Sequence, residues 1–242
     1  MIHCEALNFD YGSRPILRGV NFHVSKGELV ALLGRNGAGK STTLRLLGGL
    51  LRPVSGVIRV AGLDPSSGGV SFRRRVGLLP DGLALFEELT LEEQFVLVGR
   101  LHGLSRAECE SRISELVKLL GLQDAIWASA RTASHGTRKK AALAMTLLPD
   151  PEVLLLDEPF EGVDPAGARR MEGLFQAMIA KGRTILFSVH DLELVARLAP
   201  RILLLDKDGS LGGRHLEELR WQDFEGDESA VEVPSWLGSS SF

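Results

Sequence analysis

Apolar and polar residues alternate along the first third of the chain in patterns typical of β-strands. The stretches CEALNFDYG and VNFHV alternate as strands with one buried face do. GELVALLG is a continuous apolar run that enters a glycine-rich turn, which suits a fully buried strand. The pattern then predicts a helix in STTLRLLGGLL and two further short strands in GVIRVAG and RRVGLLP.

The middle of the chain changes to a helical pattern. Thr90 with Glu93, and Ser105 with Glu108, have the spacing of a capping box, which begins a helix. After the second pair, an apolar stripe recurs on one helical face and consists of Ile113, Leu116, Val117 and Leu120. We therefore expect a helical subdomain over about residues 87–148, inserted between strands.

The last third of the chain alternates strands with helices. VLLLD, TILFSV and RILLLD are apolar runs of strand length. They are separated by PAGARRMEGLFQAMIAKG and by a second helix predicted to begin at Asp191. Such alternation predicts a mostly parallel sheet with helices on both faces. The expected fold class is α/β, with one domain over residues 1–220 and an acidic, loosely ordered tail at 221–242.

Composition and charge exclude several classes of protein. A net charge of −3 and a pI near 6.1 give no electrostatic footprint for nucleic acid, so we expect no nucleic-acid partner. Two basic runs, 73–75 and 138–140, are short, and such runs are usually solvated faces. Cys4 and Cys109 lack metal-binding spacing and fit a reducing compartment. No secretory signal and no apolar run of roughly 18–20 residues is present, so we expect a cytoplasmic protein that meets a membrane only through a partner.

A phosphate-binding loop is indicated where the sequence reads GRNGAGKS, between an apolar strand and a helix. Its glycines let backbone N–H groups surround phosphate oxygens, and the helix N-terminus adds its positive end. Lys40 would meet the β- and γ-phosphates of ATP, and Ser41 would bind Mg²⁺. The alternative is a glycine-rich turn without a ligand. The candidate nucleotide-binding residues of this loop are Gly34, Arg35, Asn36, Gly37, Ala38, Gly39, Lys40, Ser41 and Thr42.

Two adjacent carboxylates stand at the end of the predicted strand VLLLD. Asp157 would hold Mg²⁺ through a water, and Glu158 is placed to orient or deprotonate an attacking water. Adjacent acids also occur as plain surface charges at strand ends. Because these two follow a phosphate loop, they indicate hydrolysis of ATP in the presence of Mg²⁺.

The order of the motifs resembles that of ATP-binding cassette (ABC) domains. The phosphate loop, the helical insertion, SHGT, LLLDEP, EGVD and SVHD occur in that family's order over about residues 2–212. The resemblance implies a P-loop NTPase fold with a RecA-like mixed or parallel sheet, an N-terminal antiparallel β subdomain and an inserted helical subdomain. It also implies an ATP-hydrolysing subunit that forms a homodimer or heterodimer. Such a subunit drives a separate transmembrane permease subunit from the inner face of the cell membrane.

The resemblance assigns roles to further residues. Tyr11 matches the aromatic residue that stacks on adenine, although it could be an ordinary strand aromatic. His190 matches the histidine that contacts the γ-phosphate and helps to hold the catalytic carboxylate. The implied catalytic set is therefore Glu158, His190 and Lys40. Residues 161–164 match the loop that touches the partner subunit across the dimer interface.

Two positions depart from the usual family pattern. Asp81 stands where the family usually has a glutamine that contacts Mg²⁺, although it could merely begin a D-G turn. ASHGT stands in place of L-S-G-G-Q. There Ser134 can cap a helix and Gly136 can face a phosphate of the nucleotide held by the opposite subunit, while His135 adds bulk. Both departures are familiar in a subgroup resembling bacterial drug, sodium or lipid exporters, which favours export.

Other functions stay open at this point. A soluble cassette ATPase outside transport, for example in cofactor assembly, and the ATPase of an importer share the same motifs. Translation factors usually carry two cassettes and repair factors carry long insertions, and the sequence shows neither. The transported substrate is set by the membrane subunit, so nothing in this sequence identifies it.

Overall fold

The computed structural model describes residues 1–83, 85–190, 194, 195, 198, 201–207 and 214–220. The tail predicted at 221–242 and most of the helix predicted from Asp191 lie outside these residues. The described strands and helices are β1 (Ile2–Tyr11), β2 (Arg14–Val24), β3 (Leu29–Leu33), α1 (Lys40–Leu47), β4 (Ser55–Val60), α2 (Gly69–Arg75), β5 (Val76–Leu79), α3 (Leu91–Leu101), α4 (Arg106–Leu120), α5 (His135–Leu147), β6 (Val153–Leu156), α6 (Pro165–Ala180), β7 (Thr184–Val189), β8 (Arg201–Lys207) and β9 (Arg214–Arg220).

A six-stranded sheet forms the centre of the domain, in the order β5-β6-β7-β3-β8-β9. Its strands are parallel except for β9, which pairs antiparallel with β8 and was not predicted. Every residue of β3, β6 and β7 is buried, as expected for strands covered on both faces. The predicted α/β class is confirmed.

A second, antiparallel sheet contains the N-terminal strands in the order β2-β1-β4. Alternation along β3 divides the hydrophobic core between the two faces of the central sheet. Val30 and Leu32 belong to the core that includes the antiparallel sheet and α1. Ala31 and Leu33 belong to the core that includes α3, α4, α5 and α6. The predicted N-terminal antiparallel sheet is therefore present.

Three helices, α3, α4 and α5, lie between β5 and β6. Both predicted capping boxes are present. The Thr90 hydroxyl accepts the Glu93 N–H at 3.2 Å, and the Glu93 carboxylate accepts the Thr90 N–H at 2.8 Å. Ser105 and Glu108 make the same pair of bonds. Hydrogen bonds from the Ser105 side chain and from its backbone N–H to the carboxylate lower the pKa of the Glu108 carboxyl. Subdomain limits of about 87–148 stay a prediction.

The short helix α2 was not predicted. The stretch RRVGLLP predicted a strand from Arg74, but α2 continues to Arg75 and β5 begins at Val76. Phe72 is the buried residue of this seven-residue helix. One buried side chain gives no apolar period from which a helix can be recognised.

Ser105→Ala should lower the free energy of unfolding by about 1 kcal/mol, because it removes the acceptor for the Glu108 N–H at the start of α4. Urea unfolding followed by circular dichroism measures the change. Ser111→Ala in the interior of the same helix is the matched control. It should change the value by less than about 0.5 kcal/mol. Equal losses in the two variants would contradict the capping role.

Candidate active site

Four adjacent parallel strands end at one edge of the central sheet, and each leads into a predicted site residue. β3 leads into the loop 34–39, and β5 is followed by Asp81. β6 leads directly into Asp157 and Glu158, and β7 leads into His190. Because the carboxyl ends of parallel neighbours lie side by side, the sheet brings these segments together, as in other open α/β sheets.

A cavity of about 510 Å³ opens at this edge of the sheet. Its lining consists of Tyr11, Arg14, Ile16, Arg35, Asn36, Gly37, Ala38, Gly39, Lys40, Ser41, Thr42, Asp81, Glu158, Glu161 and His190. Four predicted site residues are not part of the lining: Gly34, Asp157, Ser134 and Gly136.

The loop before α1 requires glycine at its last position. Gly39 has φ +103°, and a Cβ there would lie 3.1 Å from Ile16 Cγ2, so a larger residue would be both strained and crowded. α1 begins at Lys40, and the unpaired N–H groups of its first turn therefore belong to the cavity wall. The buried Lys40 Nζ donates to the Gly34 carbonyl oxygen at 2.7 Å, and Gly34 itself is not part of the cavity lining.

The Glu158 carboxylate is held between two partners. Lys40 Nζ lies 3.4 Å from Oε1, and His190 Nδ1 lies 3.0 Å from Oε2. Because an ionised carboxylate only accepts hydrogen bonds, His190 Nδ1 carries the hydrogen of this contact. Glu158 has φ +45°, which is uncommon for a residue other than glycine. The backbone is therefore strained at the residue that presents this carboxylate to the cavity, a feature often found at functional sites.

Ser188 is a site residue that the sequence analysis missed. Its hydroxyl accepts the Glu158 N–H at 2.8 Å and donates to Asp157 Oδ1 at 2.6 Å. Ser188 is fully buried in β7, and Asp157 is 2% exposed. A hydroxyl within the apolar run TILFSV needs a buried hydrogen-bond partner. That requirement is the feature of the sequence from which Ser188 could have been identified. The bond fixes the end of β6 to the end of β7.

Most of the remaining cavity residues come from the antiparallel sheet and from the end of β5, and Glu161 comes from the loop after β6. The Tyr11 ring is 46% exposed and packs edge-on against Phe9, with ring centroids 4.9 Å apart. Arg14 pairs with Tyr11 across the β1–β2 turn and lines the same cavity, although the sequence did not single it out. Asp81 is exposed and also lines the cavity.

The SHGT stretch begins helix α5 and is not part of the lining of the chain's own cavity. Ser134 is the N-cap, and its hydroxyl accepts the Thr137 N–H at 3.2 Å. Gly136 packs against the loop 161–164, since a Cβ at Gly136 would lie 2.4 Å from the Gly162 carbonyl oxygen. The predicted capping role of Ser134 is therefore present in the structure.

The solvated face predicted for residues 138–140 is wrong for two of the three. Lys139 and Lys140 are 0% and 7% exposed. Lys139 Nζ lies 4.0 Å from Glu161 Oε2, and Lys140 Nζ lies 3.3 Å from Asp164 Oδ2. The lysines are buried because α5 packs against the loop after β6, whose acids offset their charge.

A magnesium site would draw on oxygen ligands from separate segments. Within the described part of the chain, no group of three or more His, Cys, Asp or Glu side chains could hold a metal ion. The Mg²⁺ ligands predicted from the sequence would be one hydroxyl and two carboxylates, from Ser41, Asp157 and Asp81. This donor set fits Mg²⁺, which prefers oxygen, takes one or two carboxylates from the protein and fills its remaining positions with phosphate oxygens and water.

Comparison with known proteins places the chain among transporter subunits. The family model described as ABC transporter matches residues 17–161. The Nod factor export ATP-binding protein I of Paraburkholderia xenovorans (strain LB400) is 35% identical over 207 residues, covering 84% of this chain and 68% of the relative. The ABC transporter ATP-binding protein NatA of Bacillus subtilis (strain 168) is 37% identical over 190 residues, covering 78% of this chain and 77% of the relative.

Solved structures agree with this assignment. An ATP-binding subunit of an ABC transporter superposes with a TM-score of 0.84 at 32% identity, covering 93% of this chain and 92% of the other. The dimeric post-hydrolysis state of the ATP-binding cassette MJ0796, bound to ADP and phosphate, superposes with a TM-score of 0.81. The superposition covers 91% of this chain and 98% of the other. Its identity of 22% supports the fold alone. The chain belongs to the ABC transporter family and is an ATP-binding, ATP-hydrolysing subunit of that family.

Proposed function

We propose that this chain drives an exporter by binding ATP as a dimer and hydrolysing it. The observation that carries the proposal is the Glu158 carboxylate, held at the cavity wall between Lys40 and His190 beside the phosphate loop. Export is supported by similarity to a protein named for Nod factor export.

The residues around the cavity suggest the steps of hydrolysis. Lys40 and the N–H groups of the loop bind phosphate oxygens of ATP. A phosphate that contacts the Lys40 ammonium competes with Glu158 for it, which leaves Glu158 Oε1 able to accept a proton from water. The water oxygen then bonds to the γ-phosphorus, and the bond to the ADP oxygen breaks. His190 keeps the base oriented through its bond to Oε2.

We assign Mg²⁺ to Ser41 and Asp157, with Asp81 near it at the cavity wall. Bound Mg²⁺ would neutralise charge on the β- and γ-phosphates. The Ser188 hydroxyl holds Asp157 Oδ1, so it orients a carboxylate that the metal site requires. The Tyr11 ring lies in the same cavity and is the residue we propose to stack on adenine.

The composite site requires a second chain. Ser134 and Gly136 lie at the N-terminus of the thirteen-residue helix α5, outside the lining of the chain's own cavity. A helix N-terminus attracts phosphate, so we propose that these residues contact ATP bound by the partner in a homodimer or heterodimer. One chain alone would then bind ATP and hydrolyse it slowly.

A separate transmembrane permease is the proposed membrane partner. None of the helices in the described residues has the length and apolar content needed to cross a bilayer. An apolar groove of about 400 Å³ is lined by residues that include Leu50, Val98 and Met145. Pro80 lines this groove, and Asp81 next to it lines the nucleotide cavity. A cytoplasmic segment of the permease in this groove would contact the cavity through that short connection and hold the chain at the inner membrane face.

Glu158→Gln should retain ATP binding, lose roughly 10²–10⁴-fold in turnover and accumulate as an ATP-bound dimer, because an amide cannot accept the proton. Steady-state ATPase assays and size-exclusion chromatography with ATP measure this. Glu110→Gln, on the exposed face of α4, is the matched control and should behave as the unaltered chain. Undiminished turnover would refute the base assignment, whereas loss of ATP binding would indicate damage to the fold or the metal site.

Asp81→Gln should keep or raise ATPase activity, because it removes a negative charge near the γ-phosphate and supplies an amide donor. The measurement is the ATPase rate at saturating Mg²⁺ and ATP. Asp124→Asn, at another exposed acid, controls for the loss of a surface charge. A collapse of activity in Asp81→Gln alone would show that the carboxylate itself has a specific role.

Leu50→Asp should abolish co-purification of the chain with an integral membrane protein, because Leu50 is 63% exposed in the apolar groove and a charge there opposes burial. The tagged chain would be captured from detergent-solubilised membranes of its native host. Leu119→Asp, at a 41% exposed leucine that does not line this groove, should retain the membrane protein. Equal retention by both variants would place the permease contact elsewhere, and a purely soluble complex would favour an assembly ATPase.

A further inference from the structure

Lys139 is a buried charge whose partner lies beyond hydrogen-bond distance. Its side chain is 0% exposed, and among the described residues its Nζ has no hydrogen-bond partner. Its ion-pair partner, Glu161 Oε2, lies 4.0 Å away, which is too far for a hydrogen bond. Burial of an ammonium in this state is unfavourable for stability. The position therefore calls for an explanation other than stability.

The pair connects helix α5 with the nucleotide cavity of the same chain. Glu161 lines that cavity, and its N–H donates to the Glu158 carbonyl oxygen at 3.2 Å. Lys139 is therefore linked to the backbone of Glu158, the proposed base, through Glu161 and the turn formed by residues 158–161.

A second contact joins the same two segments. A Cβ at Gly162, where φ is +70°, would lie 2.5 Å from His135 Cδ2, so the His135 ring covers the Gly162 backbone. His135 and Lys139 are four residues apart and so share one face of α5. That face contacts consecutive residues of the loop after β6. We therefore expect a displacement of the start of α5 to move the loop that follows Glu158.

We infer that Lys139 is a positioning residue that couples the chain's own nucleotide cavity to the helix start it offers to a second chain. The inference rests on the proposed function, since it needs Ser134 and Gly136 to contact the partner's ATP. Movement of α5 changes the Lys139–Glu161 separation and, through Glu161, the turn that holds Glu158. The effect runs in both directions, because coupling free energies between sites are reciprocal.

The test compares stability with turnover in Lys139→Met, which keeps most of the length of the side chain and removes its charge. We expect the Tm to rise by about 2–4 °C, because the acid left behind is half exposed and the buried charge is gone. We expect kcat to fall by roughly fivefold or more. The ATP concentration at half-maximal rate should stay within about twofold, because Lys139 does not line the cavity.

Glu161→Gln removes the ion pair between Lys139 and Glu161 by changing its exposed partner. It leaves Lys139 buried without a countercharge, so the Tm should fall while kcat falls by a factor similar to that of Lys139→Met. The double variant should be no slower than the slower single variant, as for two residues acting through one contact. Coupling is supported if the Tm rises in Lys139→Met and falls in Glu161→Gln while kcat falls by a similar factor in both. If the contact had only a structural role, kcat would instead follow Tm.

Lys118→Met, at an exposed lysine of α4, is the matched control and should alter neither the Tm nor kcat. The inference is refuted if kcat in Lys139→Met is unchanged, if the rates of the variants follow their Tm values, or if the losses in the double variant multiply. Failure of the proposed function is a separate result, because it would appear as normal turnover in Glu158→Gln.

Discussion

Leu156 of β6 lies between Leu79 of β5 and Phe187 of β7, and Leu33 of β3 lies beside Val189 at the end of β7. This parallel register brings four strand ends to one edge of the sheet, and the segments that follow form the nucleotide cavity. The paired residues are buried, so a one-residue slip would exchange the side chains that face each half of the core. The pairing that forms the core therefore also sets the distances between the proposed catalytic groups.

At the end of β6, a strained backbone at Glu158 is combined with partners that offset the charge of its carboxylate. The left-handed backbone at Glu158 is unfavourable for a residue that carries a Cβ. The Ser188 hydroxyl accepts the Glu158 N–H, and Lys40 and His190 contact the two carboxylate oxygens. These interactions come from β7, α1 and the segment after β7, so the conformation persists only in the assembled sheet. The arrangement resembles a preorganised catalytic group, which is held in place before the reaction begins.

Features set by local spacing were predictable from the sequence, and features set by contacts between distant segments were not. Capping boxes, buried strands and the glycine-rich loop each depend on a few neighbouring residues, and the structure contains them. The bond between Ser188 and Asp157 joins residues 31 positions apart. The burial of Lys139 likewise depends on Glu161 in another segment. A three-residue basic run has the same appearance in a sequence whether its lysines face solvent or an acidic loop.

The contact between α5 and the loop after β6 bears on how two composite sites could act together. At Gly136 the two backbones approach so closely that a Cβ there would lie 2.4 Å from the Gly162 carbonyl oxygen, and a Cβ at Gly162 would clash with the His135 ring. Each chain of a dimer would contribute a cavity to one site and an α5 helix start to the other. Since these two contributions touch within the chain, a change at one site need not cross the dimer interface to reach the other. It can pass through one protomer, between segments that the sequence separates by about 26 residues, from Gly136 to Gly162.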